Sequence, residues 1–173
     1  ALWLFAEGKK EEGFGMMKSA IEMEPAKTRE YITVMVLNRF TDEEILQSLP
    51  ERAGPYLYFA AYLSGTGNDR MADDAYLRAF DYLGKEDRAD PSCFYQIQQY
   101  YMKKARTADA LKVMNRAVEF FPLDAGIRLS VAGLYEKLEM RGQAIEEYRN
   151  VLRIDPSNQE AKTRMDKLMS VNK

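Results

Sequence analysis

Histidine is absent from the 173 residues, and cysteine occurs once, as Cys93. Without histidine the chain cannot assemble a Ser-His-Asp or Cys-His nucleophile, which removes much of hydrolase chemistry. A lone cysteine makes no intramolecular disulfide, and with no histidine to complete a ligand cluster a structural zinc site is not expected. No cofactor of another kind is indicated. One cysteine suits the cytosol and a bacterial periplasm equally, so the compartment stays open. Long apolar runs are missing as well: none approaches the roughly 20 residues of a bilayer-spanning helix, and the start ALWLFAEGKK has the wrong charge order for a signal peptide. Nor does one sign of charge dominate. Lys and Arg total 25 against 27 Asp and Glu, a net charge of -2, so no basic field exists to attract nucleic acid, which is not expected as a partner.

What is present suits a packed interior, with 46% hydrophobic and 30% charged positions. The informative pattern is a repeat. Tyr101, Ala110, Met114, Ala117 and Pro122 recur 34 residues later as Tyr135, Ala144, Tyr148, Val151 and Pro156. Within the second copy, AGIRLSVAGLYEKLE places Val131, Leu134, Tyr135 and Leu138 on one helical stripe, and QAIEEYRNVLRID does the same with Ala144, Ile145, Tyr148, Val151 and Leu152. Each copy therefore predicts two amphipathic helices, with Gly142 expected to start the return between them. Asp90 and Pro91 read as an N-cap and first-turn proline that start the earlier copy near residue 91.

These residues resemble the tetratricopeptide repeat. The family's small residue at repeat position 8, large residue at 11, Ala at 20, aromatic at 24, small residue at 27 and Pro at 32 fall on Ala132, Tyr135, Ala144, Tyr148, Val151 and Pro156. Arg128 replaces the usual aromatic at position 4. One period earlier Phe94 supplies that aromatic, whereas Gln98 is larger than the usual small residue at position 8. The resemblance is strongest over 91–158 and weaker over 1–86.

The same register divides the rest of the chain. Residues 53–86 carry a weaker copy through Tyr56, Phe59, Ala60, Leu63, Ala72, Tyr76 and Ala79, its helices separated by the turn SGTGNDR. That turn follows a helix and lacks a Gly-Lys-Ser/Thr ending, so it is not a phosphate loop. The linker GKEDRAD then adds about four residues to the period. Residues 1–25 read as a partial repeat, with Leu4, Gly13, Met17, Ala20 and Pro25 in register. Between them, 26–52 form a short irregular hairpin whose second helix is announced by a Thr41/Glu44 capping box. After the repeats at 91–124 and 125–158, residues 159–173 predict a C-terminal capping helix opened by a Ser157/Glu160 capping box, its Lys162, Arg164, Lys167 and Lys173 keeping it solvated. The expected fold is all-α, a right-handed superhelical array of antiparallel helix hairpins.

In the family, the first helix of each hairpin lines a concave groove. Carrying its positions over gives Tyr31 and Val34 from the irregular hairpin, then Tyr58 and Ala61, then Tyr95, Gln96, Gln99 and Met102, then Leu129 and Ser130. Tyr and Gln in YQIQQYY suit an extended peptide or a partner helix, because aromatic faces supply area while amides hydrogen-bond a backbone. The Lys and Asn positions by which some members clamp an acidic carboxy-terminus hold Glu30, Leu57, Tyr95 and Leu129, and Val34, Ala61, Gln99 and Gly133, so a chaperone-tail adaptor is not expected.

The resemblance implies a non-enzymatic protein-protein interaction scaffold that binds a peptide or helix of a partner. The partner could also be the rest of its own polypeptide. The register places Ala1 partway through a first helix, and this motivates the alternative of an accessory or tail domain of a larger bacterial membrane or envelope glycan-assembly protein, such as an O-antigen ligase or polymerase. Self-association through the N-terminal aromatics, with Leu2, Trp3 and Phe5 exposed, is a further expectation.

Overall fold

The computed structural model of the chain describes residues 1–86 and 88–170, and among them every regular element is helical. The chain divides into two compact units, Ala1–Ala89 and Asp90–Lys173, with the division in the linker GKEDRAD. The first unit holds α1 (Leu2–Ala6), α2 (Lys10–Met23), a 3-10 turn (Pro25–Lys27), α3 (Thr28–Leu37), α4 (Asp42–Gln47), α5 (Ala53–Thr66) and α6 (Asp69–Leu83). The second holds α7 (Pro91–Lys103), α8 (Thr107–Phe120), α9 (Ala125–Lys137), α10 (Arg141–Ile154) and α11 (Gln159–Ser170). Lys173, named above for the terminal helix, lies outside the described residues.

One turn geometry joins each odd-numbered helix from α1 to α9 to its successor. The carbonyls of Leu4, Met35, Leu63, Tyr101 and Tyr135 accept from the backbone N–H groups of Lys9, Phe40, Asn68, Arg106 and Met140, five residues on, at 2.9–3.1 Å. This is the six-to-one bond of a Schellman motif, and it requires a left-handed residue just beyond the helix. Gly8 (φ 76°) and Gly67 (φ 82°) adopt that conformation without strain, whereas Arg39 (φ 60°), Ala105 (φ 56°) and Glu139 (φ 59°) adopt it against the steric preference of a Cβ. Two sequence expectations are corrected here. Gly142 does not start a return but lies in the first turn of α10, because Glu139 has already reversed the chain. The turn SGTGNDR contracts to Gly67 and Asn68: Ser64, Gly65 and Thr66 complete α5, and Asp69 opens α6.

Helix starts show the same economy of signals. Thr41 and Glu44 form the expected capping box, Oγ1 of Thr41 accepting from Glu44 N–H at 3.2 Å and the Glu44 carboxylate accepting from Thr41 N–H at 3.0 Å. Asp90 caps α7 ahead of Pro91, and Asp124 caps α9. At α11 the expected Ser157/Glu160 box is replaced. Asn158 Oδ1 accepts from Ala161 N–H at 3.0 Å, while Ser157 donates to Asp155 through both its N–H and its hydroxyl. Asp155 has drawn Ser157 back into the preceding turn, so the neighbouring amide becomes the cap. The Asp155 carboxyl is held below the usual carboxylate range by the Ser157 hydroxyl and then the Ser157 N–H.

The repeat residues fill the core. Ala110, Met114 and Ala117 of α8, and Ala144, Tyr148 and Val151 of α10, are fully buried. Ala161 of α11 joins the last cluster with Ala132, and Met165 and Leu168 pack against it. At the N-terminus the equivalent buried residue is Gly13, and the Phe5 ring occupies the space a methyl would take: a Cβ there would lie 2.6 Å from the ring. Phe5 packs between Phe14 and Phe40, with ring centroids 5.2 and 4.6 Å away. It is therefore packed instead of exposed, and of the N-terminal aromatics Trp3, 56% exposed, is the accessible one. No helix among the described residues is long and apolar enough to cross a membrane.

Candidate functional site

The odd-numbered helices of the second unit share a face. Gln98 and Met102 stand one turn apart on α7, Leu129, Ser130, Gly133 and Lys137 follow the matching stripe of α9, and Glu160 and Arg164 stand one turn apart on α11. Together with Gly126 and Leu134 they line one open cavity of about 320 Å³. Two glycines keep its wall low. A Cβ on Gly133 would reach Arg164 Nη1 at 3.9 Å, and one on Gly126 would meet the Tyr95 hydroxyl at 3.4 Å.

Hydrogen bonds fix the polar groups around this cavity. Gln98 Nε2 donates to Ser130 Oγ at 2.8 Å, tying α7 to α9. The Glu136 carboxylate accepts from the Tyr148 hydroxyl at 2.6 Å and from Arg164 Nη1 at 2.7 Å, and Arg164 Nε also pairs with Glu160 at 3.0 Å. Burial, and then the Glu136 carboxylate, push the Tyr148 hydroxyl well above the ordinary tyrosine range. The Glu136 hydrogen bond likewise makes Arg164 harder to deprotonate. α11 is thus locked to α9 by a charged network at one end of the cavity, while Lys137 carries no ion pair among the described residues.

A second cavity, of about 440 Å³, lies within the first unit between Arg29, Ile32 and Thr33 of α3 and Tyr58, Ala61 and Tyr62 of α5. Tyr58 is 51% exposed there. The two cavities place the residues expected from the sequence unevenly. Met102, Leu129 and Ser130 meet in the first, and Tyr58 and Ala61 in the second. Tyr31, Val34, Tyr95, Gln96 and Gln99 line neither. Tyr31 donates its hydroxyl to Glu24 at 2.9 Å, Val34 is exposed, Gln99 faces solvent and Gln96 is half-buried. Tyr95 is half-buried against the start of α9, and burial followed by the nearby Asp124 carboxylate raises its hydroxyl pKa.

Sequence reasoning missed Gln98, Glu160 and Arg164. Gln98 did carry a signal, a long amide where the repeat wants a small residue. The α11 pair did not, since a helix rich in Lys and Arg reads as a solvating cap. Among the described residues no group of three or more His, Cys, Asp or Glu side chains stands ready to hold a metal. What the cavity offers is reversible contact: an apolar floor, an amide-hydroxyl pair and flanking charge.

No family model matches the chain, and no curated protein matches it by sequence. Solved structures do match in shape. YrrB, described as a TPR protein with an unusual peptide-binding site, superposes with a TM-score of 0.58 at 17% identity, covering 90% of this chain and 83% of its own. The fold is of the tetratricopeptide type. A mutant of MamA superposes equally well, with a TM-score of 0.58 at 11% identity, covering 90% of this chain and 80% of its own. In tetratricopeptide terms, α7 and α9 are the first helices of successive hairpins and α11 stands where a further first helix would begin.

Proposed function

We propose that the chain is a non-enzymatic protein-interaction scaffold whose second unit takes a peptide segment of a partner along α7, α9 and α11. The observation that carries this reading is the convergence of side chains from three successive odd-numbered helices on one open cavity. Met102 and Leu129 give it apolar area over the buried Leu134, and the bonded network at Glu136 holds its wall in place before any partner arrives. A rigid surface loses little freedom on binding, so modest contact area suffices for specific association. The likeness to YrrB, which is described as having a peptide-binding site, supports the same reading.

The test is selection of peptides from a random display library on the full chain, followed by affinity measurement against a Leu129→Arg variant. Leu129 is half-buried at the cavity edge, so the variant places a charged side chain where an apolar one would dock. Selected peptides should lose at least tenfold in affinity while the variant stays folded. Retention of affinity would move the binding surface elsewhere.

A further inference from the structure

The departure of Gln98 from the repeat pattern has a chemical consequence. A small residue at this place would let α7 and α9 touch through apolar atoms alone. Gln98 instead stands half-buried between them and donates one N–H to Ser130 Oγ at 2.8 Å. That bond uses one of the amide's two donors and neither acceptor lone pair of Oε1, and it leaves the Ser130 hydroxyl proton free to donate. No buried side-chain polar atom among the described residues lacks a partner, so Gln98 Oε1, which has none, is not sealed from solvent, and both side chains line the cavity.

Resting on the groove reading above, we infer that Gln98 and Ser130 together read the main chain of an extended peptide, and that this ligand carries an apolar side chain and a carboxylate. The pair presents an acceptor, Gln98 Oε1, beside donors, the second Gln98 N–H and the Ser130 hydroxyl. An extended backbone presents the complementary N–H and C=O on one edge, whereas a helix has already used both internally. Beside the pair, the half-buried Met102 and Leu129 receive the apolar side chain, over the buried Leu134. The carboxylate is set by charge. Arg164 is neutralised by Glu136 and Glu160, which leaves Lys137 as the cation facing the cavity without an ion pair among the described residues.

The structural role of the bridge and its reading role separate in a chemical double-mutant cycle. The probe is the selected peptide that Leu129→Arg releases, and its backbone amides are replaced one at a time by esters, which removes an N–H without adding bulk. With the native chain one ester position should weaken binding about tenfold, the worth of one hydrogen bond. Against Gln98→Leu the same ester should cost less than twofold, and a purely structural bridge would leave the ester penalty unchanged. Should Gln98→Leu fail to fold, Ser130→Ala replaces it, with the penalty moving to the ester that weakens a carbonyl acceptor. Amidating the peptide's carboxylate should cost severalfold with the native chain and nothing with Lys137→Gln. Equal ester penalties in native and variant chains, or a gain of helical signal in the bound peptide, would overturn the inference while leaving the groove reading intact. Failure of Leu129→Arg to release any selected peptide, or no selection at all, would fell both.

Discussion

Replacing Ala105 by glycine should stabilise the second unit, although it deletes a side-chain methyl from a folded protein. Ala105 sits at φ 56° just beyond α7, where it lets Arg106 N–H close on the Tyr101 carbonyl at 2.9 Å. Its side chain is exposed, so no packing is lost with the methyl. Holding an L-residue in the left-handed region costs roughly 1–2 kcal/mol. Glycine escapes that strain but loses more freedom on folding, by about 0.4–1 kcal/mol. The difference runs from about 0 to 1.6 kcal/mol and centres on a net gain of about 0.8 kcal/mol, or about 2–3 °C in melting temperature for a chain of this length. Urea unfolding followed by circular dichroism measures it, as a raised midpoint with an unchanged slope. An Ala105→Val control should destabilise, because a β-branched side chain suits the left-handed region worst. A glycine variant less stable than the native chain would refute the reasoning, since it would mean that the turn carries no strain to relieve.

The remaining expectations follow from contacts already described. Gly13→Ala should destabilise the α1–α2 pair by about 1–3 kcal/mol, the usual range for overpacking, because its Cβ would lie 2.6 Å from the Phe5 ring; Phe5→Leu in the same chain should recover part of the loss in hydrogen exchange of α2. Asn158→Ala should cost about 1 kcal/mol and raise exchange in the first turn of α11, whereas Ser157→Ala should cost less, since Asn158 makes the capping bond. Burial, and then the neighbouring Tyr82, push Tyr56 up to about 12. An unfolded chain releases that proton near pH 10, so stability should be intact below that pH and should fall as pH rises toward 12. Tyr56→Phe should flatten this alkaline loss in pH-dependent urea unfolding, and an unchanged slope would deny Tyr56 its part.

The period of 34 residues was legible because it is written in buried positions: Ala110, Met114 and Ala117, and their counterparts Ala144, Tyr148 and Val151, admit few alternatives once their helices pack. Helix starts with a single strong cap were legible too, at Thr41 and Asp90. The turns were not. Glycine is the usual mark of a left-handed residue, yet Arg39, Ala105 and Glu139 do the work in three turns, while Gly142 and Gly65 are helical. Local hydrogen bonding hid the α11 cap, because Ser157 was claimed by Asp155. At the site, register alone brought Met102, Leu129 and Ser130 to one face and Tyr58 and Ala61 to another. Tyr95 shows the limit of register: its position satisfies the groove rule, yet it packs half-buried beside the start of α9 and does not line the cavity. Gln98 required the neighbouring helix to be in place before its amide had a partner.

The most direct measurement is methyl NMR of the full chain during titration with a peptide selected from the display library. Binding in the groove should shift the methyl signals of Met102, Leu129 and Leu134 together and saturably, while Leu77 and Leu123, exposed and outside the cavity lining, stay in place. Shifts confined to Leu77, Leu123 or other residues away from the cavity, with Met102, Leu129 and Leu134 unmoved at saturation, would contradict binding along α7, α9 and α11.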